Sequence, residues 1–141
     1  MYNEVTVFME NKPGKLSKVA EILGNNNIDI LALDVADDGQ FGILKMLTAE
    51  PEKSKKVLET AGLTVALSKV VCVEMADQPG GLLKLAKTIE NIGINVSDAY
   101  GCILERGKRA VFVVKATDDE ALKSIENAVT AAGLKVLNTL D

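Results

Sequence analysis

Residues 3–9 alternate in polarity, with Val5, Val7 and Met9 on one side and Glu4, Thr6 and Phe8 on the other. A period of two predicts a half-buried strand. Apolar residues then recur at Leu16, Val19, Ala20 and Leu23, the i, i+3, i+4, i+7 spacing of a helix with one buried stripe. Gly24 with Asn25, Asn26 and Asn27 is expected to end that helix. Strands are predicted over 28–36 and 41–48, with Asp37-Asp38-Gly39 as the turn between them. A second helix over 51–61 opens on Pro51 and closes at Gly62, and a fourth strand follows over 63–67.

The same pattern then returns. Asn11-Lys12-Pro13-Gly14-Lys15-Leu16 reappears 66 positions later as Asp77-Gln78-Pro79-Gly80-Gly81-Leu82. Val19, Ala20, Leu23, Asn25, Ile28 and Ile30 meet Leu85, Ala86, Ile89, Asn91, Ile94 and Val96, and after an insertion Ala61-Gly62-Leu63 meets Ala132-Gly133-Leu134. The second copy is predicted to hold strands over 69–75, 94–104, 109–116 and 134–139. Its second helix covers 118–132, with Thr117 and Glu120 as a capping box. Pro13 and Pro79 are read as first-turn residues of their helices, with Asn11 and Asp77 ahead of them as caps or Asx-turn formers. Gly101 within a strand points to a bulge or a close backbone approach.

Each copy therefore reads β-α-β-β-α-β, which divides the chain into domains at 1–67 and 68–141. Right-handed crossovers put both helices on one face of an antiparallel four-stranded sheet, an α+β, ferredoxin-like layout with the second and fourth strands at the edges. Units of this size are small for independent cores, so the copies are expected to pack together as a pseudo-dimer. Leu63 to Met75 reads as one bent strand passing from copy to copy.

Composition narrows the function. The net charge is −4 and the 16 basic residues are scattered, unlike the clustered Lys and Arg of a nucleic-acid binder. Lys53, Lys55 and Lys56 sit among Glu50, Glu52 and Glu59, which reads as a solvated helix face. With no histidine and only Cys72 and Cys102, zinc ribbons, thioredoxin-like motifs and histidine-based catalysis are disfavoured, and the cysteines read as small apolar fillers. No metal or cofactor is expected. No apolar run approaches the ~20 residues that span a bilayer, and no signal-like leader opens the chain, so the expectation is a cytoplasmic protein without a membrane partner.

The motif that carries chemistry is the Pro-Gly turn between first strand and first helix. Glycine admits close approach of a ligand. Free N–H groups at the following helix start suit a carboxylate, and Asn11 or Asp77 offers an oxygen to an ammonium group. Such a site fits a free α-amino acid. In both copies the run (D/N)-x-P-G-x-L, then L-x-x-(V/L)-A, then N-x-x-(G/N)-I-(D/N)-(I/V) resembles the ACT domain over essentially the whole chain. The resemblance implies units that pair side by side, bind amino acids at their interface and regulate metabolic enzymes. It places ligand contacts at Asn11, Lys12, Pro13, Gly14, Lys15 and Leu16, and at Asp77, Gln78, Pro79, Gly80, Gly81 and Leu82. Opposite these it places Asp29, Ile30 and Leu31, and Asn95, Val96 and Ser97. Because the two loops differ in charge, two sites, if both exist, should differ in affinity or selectivity.

The function expected is thus a non-catalytic amino-acid-binding regulator, with an unpaired sheet edge favouring a homodimer. The alternative is a regulatory subunit acting by protein contact alone, for example on an acetolactate-synthase-type enzyme. Two further readings are disfavoured. An acylphosphatase-like enzyme needs an arginine in the first loop, whereas Arg106 and Arg109 lie near the far hairpin. RNA-recognition domains stack bases on aromatics of the central strands, and here the outward positions hold Glu4, Thr6, Phe8, Val70, Cys72 and Glu74. A copper-chaperone reading fails for want of paired cysteines in the first loop.

Overall fold

The computed structural model describes residues 1–10, 12–37 and 39–140. Its elements are β1 (Tyr2–Met9), α1 (Lys15–Asn25), β2 (Ile30–Asp37), β3 (Gly42–Thr48), α2 (Pro51–Thr60) and β4 (Thr64–Ala76). They continue as α3 (Gly81–Asn91), β5 (Asp98–Glu105), β6 (Arg109–Lys115), α4 (Asp119–Ala131) and β7 (Lys135–Leu137). Contacts divide the chain into a first unit, Asn3–Ser68, and a second unit from Lys69 onward that also takes in Met1–Tyr2. β4 is one unbroken strand that supplies residues to both. No helix among the described residues is long and apolar enough to cross a membrane.

Strand order in the first unit is β2-β3-β1-β4, and in the second β5-β6-β4-β7. Antiparallel register sets Val5 against Met46 and Val7 against Leu44, then Leu33 against Met46 and Val35 against Leu44. The second unit repeats this: Val71 faces Val114 and Val73 faces Phe112, while Ala99 faces Val114 and Gly101 faces Phe112. Both units are therefore ferredoxin-like, with the second and fourth strands at the edges.

Alternation along β1 and β4 delivers one apolar face to the helices. Val5, Val7, Met9, Leu44 and Met46 pack with Val19 and Leu23 of α1 and Leu58 of α2. In the second unit Val71, Val73 and Val114 pack with Leu85, Ile89, Leu122, Ile125 and Val129. Each fully buried side chain of this size contributes about 1.5–3 kcal/mol.

The opposite face departs from the expectation of outward polar positions. Glu4 and Thr6 are 1% and 5% exposed, and Val70 and Cys72 are fully buried; Phe8 alone of the expected set is exposed, at 43%. The reason is legible in 70–73, Val-Val-Cys-Val, a continuous apolar run of the kind that marks burial on both faces. Cys72 and Cys102 are not joined in a disulfide, and partial burial pushes the Cys102 thiol up, away from reactivity.

Helix ends explain most boundary differences. Ile28 N–H donates to Leu23 O at 3.0 Å and Asn27 N–H to Gly24 O at 3.0 Å, the paired bonds of a Schellman close. Leu63 and Gly62 close α2 in the same way, as Leu134 and Gly133 close α4. Asn27 takes φ +57° where the second unit has Gly93 at φ +70°. Gly24, expected at the end of the helix, lies inside α1, so the stop comes from Asn27. Ile28 is thus the lock on a helix rather than the start of a strand, and β2 begins only at Ile30. The start of α4 also shifts: Asp118, not Thr117, is the cap, its Oδ1 accepting from Ala121 N–H at 2.7 Å. Carboxylates at that position match the positive helix end. Pro51 opens α2 as expected. The charged face of α2 is solvated, with Lys53 near Glu50 at 3.2 Å and Lys55 near Glu59 at 3.9 Å.

Candidate functional site

The two Pro-Gly turns share one construction. Gly14 and Gly80 are the helix N-caps, held at φ +91° and +87°. This conformation costs an L side chain roughly 1–2 kcal/mol. Each proline therefore stands two positions before the first residue of its helix rather than in the first turn, because a left-handed glycine is interposed. The turn closes through Lys15 N–H to Lys12 O at 3.1 Å, and through Gly81 N–H to Gln78 O at 3.0 Å. Gly81 is held more tightly than its counterpart Lys15: a Cβ on it would stand 2.2 Å from the Ala76 carbonyl oxygen.

Side chains ahead of the turns are engaged elsewhere. Asn11 lies outside the described residues. Lys12 pairs with Glu10 at 2.7 Å, and this hydrogen bond, helped by the charge, holds the Glu10 carboxyl below the usual range. Asp77 does not cap α3. Its Oδ2 accepts from Gly107 N–H at 2.6 Å and its N–H donates to Lys108 O at 3.2 Å, tying the loop to the β5–β6 turn. Beside that turn Arg109 donates to Glu74 at 2.8 Å, which lowers the Glu74 carboxyl. Glu105 and Lys108 form an exposed ion pair across it.

The segments expected opposite the loops begin earlier than the strands they were assigned to. Asp29 lies just ahead of β2, its carbonyl accepting from Ala49 N–H at 3.0 Å. Ile30 opens β2, and a register shift falls between Ile30 and Ala32, at Leu31. Asn95, Val96 and Ser97 all precede β5, with Ser97 N–H donating to Lys115 O at 2.9 Å.

In the second unit three of these residues meet. Leu82, Asn95 and Val96 line a cavity of ≈580 Å³ between α3 and the sheet. Leu85, Ala86 and Ile89 of α3, Ile94, Ala99 and Phe112 complete its apolar wall, and Glu90 and Asn95 are the polar side chains on it. The volume is in the ordinary range for a small-molecule pocket. Gln78, Pro79, Gly80 and Gly81 are not on its wall. Ala99 and Phe112 were not anticipated from sequence, although the small-for-large exchange at Ala99 against Leu33 is visible once the copies are aligned strand by strand. Gly101 carries no bulge; the register shift on β5 falls between Ile103 and Glu105. Among the described residues no group of three or more His, Cys, Asp and Glu is placed to hold a metal ion.

Comparisons agree with this architecture. A protein of known crystal structure from Bacteroides thetaiotaomicron is 27% identical, with 96% of this chain and 91% of that one covered at a TM-score of 0.86. The ligand-free regulatory subunit of aspartate kinase from Thermus thermophilus is 14% identical, covered over 89% and 91%, with a TM-score of 0.64, a likeness of fold. No curated protein matches the sequence. The sequence profile described as ACT domain pair matches residues 1–137, and with both units built as the repeat requires, the chain belongs to the ACT domain pair family.

Proposed function

We propose that the chain is a non-catalytic regulatory protein that binds a free amino acid and acts on an enzyme of amino-acid metabolism. The observation that carries this reading is the second unit's cavity, where Leu82 at the start of α3 meets Asn95 and Val96 ahead of β5. These are two of the segments that the ACT resemblance assigns to ligand. α3 starts behind the Gly80 N-cap without a side-chain cap, and the helix dipole at that end favours a carboxylate. Family membership over residues 1–137 supports a regulatory rather than catalytic role. The aspartate kinase regulatory subunit supports the same role by analogy.

A second reading, contact with an enzyme without any ligand, draws on the apolar side chains left open on the edge strands. Leu33 and Val35 on β2 are 44% and 41% exposed, and Ile103 on β5 is 60% exposed. Apolar groups left open on an edge strand suit a protein partner.

A thermal-shift screen of the purified chain against the twenty amino acids separates the two. A ligand that binds only the native state at a hundred times its dissociation constant adds about 2.7 kcal/mol, so one or a few amino acids should raise the melting temperature by several degrees. Silence with all twenty sinks the ligand-binding reading and leaves the contact-only one.

A further inference from the structure

Register identifies which positions correspond between the units. Met46 and Val114 are equivalent because they face Val5 and Val71, which the repeat equates. Leu33 faces Met46 and Ala99 faces Val114, so Ala99 stands where the first unit has Leu33. By the same reasoning Gly101 stands for Val35 and Phe112 for Leu44. On the helix-facing side of its edge strand, the second unit has given up two large side chains and enlarged one on the strand beside it.

The exchange at Gly101 is compensated. A Cβ on Gly101 would lie 3.5 Å from the Phe112 ring, so the ring occupies the space beside Gly101. Ala99, by contrast, is on the cavity wall. The wall thus carries an alanine where the sister unit has a leucine. Its wall is apolar apart from Asn95 and Glu90, and the Glu90 carboxylate is engaged by Lys87 at 2.8 Å.

We propose that this cavity receives the side chain of the amino-acid ligand and that Ala99 sets its capacity. The second unit then selects an amino acid with a large aliphatic or aromatic side chain, and the first unit, with Leu33 in that place, does not. The inference rests on the amino-acid-binding reading above and deepens it. A polar side chain would leave its hydrogen-bonding groups without partners against this wall. A small one would leave the cavity unfilled and forgo the apolar contact that favours binding.

Calorimetric titration of the full chain with leucine, phenylalanine, glycine and aspartate tests this, with wild type, Ala99→Leu and Ala99→Val compared. Leucine or phenylalanine is expected to bind wild type more tightly than glycine or aspartate. Ala99→Leu restores the bulk of the first unit and should weaken that binding at least about tenfold, since one methylene in a hydrophobic pocket already changes affinity by roughly that factor. Ala99→Val should give a smaller loss in the same direction, and decides the matter if Ala99→Leu does not fold. Preference for glycine or aspartate overturns the inference while amino-acid binding stands. So does unchanged leucine and phenylalanine affinity in the variants. Absence of binding by any amino acid overturns the wider reading as well.

Discussion

Leu85→Ala is expected to lower the unfolding free energy by about 2–5 kcal/mol, measured by urea denaturation. Leu85 is fully buried in the second unit's core, where α3 meets Val71, Val73 and Val114. Truncation removes the transfer free energy of its side chain and leaves a hole. Leu85 also forms part of the wall of the ≈580 Å³ cavity, so the new space would merge with it. Neighbours there have less to collapse against, which favours the upper part of the range. Against a typical total of roughly 5–15 kcal/mol the loss is large. A change below about 1 kcal/mol would mean that α3 does not seat its stripe on the sheet as described.

Gly81→Ala is expected to destabilise by about 1–3 kcal/mol, although Ala is the better helix former by ~1 kcal/mol. The new Cβ would stand 2.2 Å from the Ala76 carbonyl oxygen, a backbone atom that cannot swing aside. Either the turn opens or the end of β4 moves. Gly24→Ala provides the matched control: Gly24 lies within α1 with nothing within 4 Å of an added Cβ. There the substitution should stabilise by ~0.4–1 kcal/mol, through the smaller entropy of the unfolded chain. Equal effects in the two variants, read by thermal melting, would show that the close approach at Gly81 does not govern the loop.

Much of the fold is legible because the chain states it twice. Periodicity gives the type and order of the elements, and Gly62 and Gly133 mark helix ends through their left-handed conformation. The signal fails where one residue answers to two patterns. Ile28 is apolar and precedes a strand, so period alone extends the strand back to it, while its N–H in fact closes α1. Thr117 precedes Glu120 at capping-box spacing, yet the neighbouring Asp118 is a carboxylate and takes the cap. The candidate site was legible only in part. Leu82, Asn95 and Val96 follow from the motif, but Ala99 and Phe112 depend on which residues share a face across strands. That requires a register, which composition and spacing do not supply. Asp77 shows the converse: its place in the motif is plain, but its Gly107 partner lies 30 residues away on a hairpin.

The exchange of Val35 and Leu44 for Gly101 and Phe112 also constrains how the two halves diverged. Duplication starts both copies from one sequence, so the two changes came in some order. A phenylalanine arriving first would press on the valine beside it, and a glycine arriving first would leave a gap in a strand. If each intermediate is less stable than either end, the pair resists reversal one step at a time. A double-mutant cycle on Gly101→Val and Phe112→Leu should accordingly show each single change costing more than the two together; additive losses would mean the positions drifted independently. Sites of this kind make the halves of a duplicated protein poor donors to one another, because residues can be traded between them only in sets.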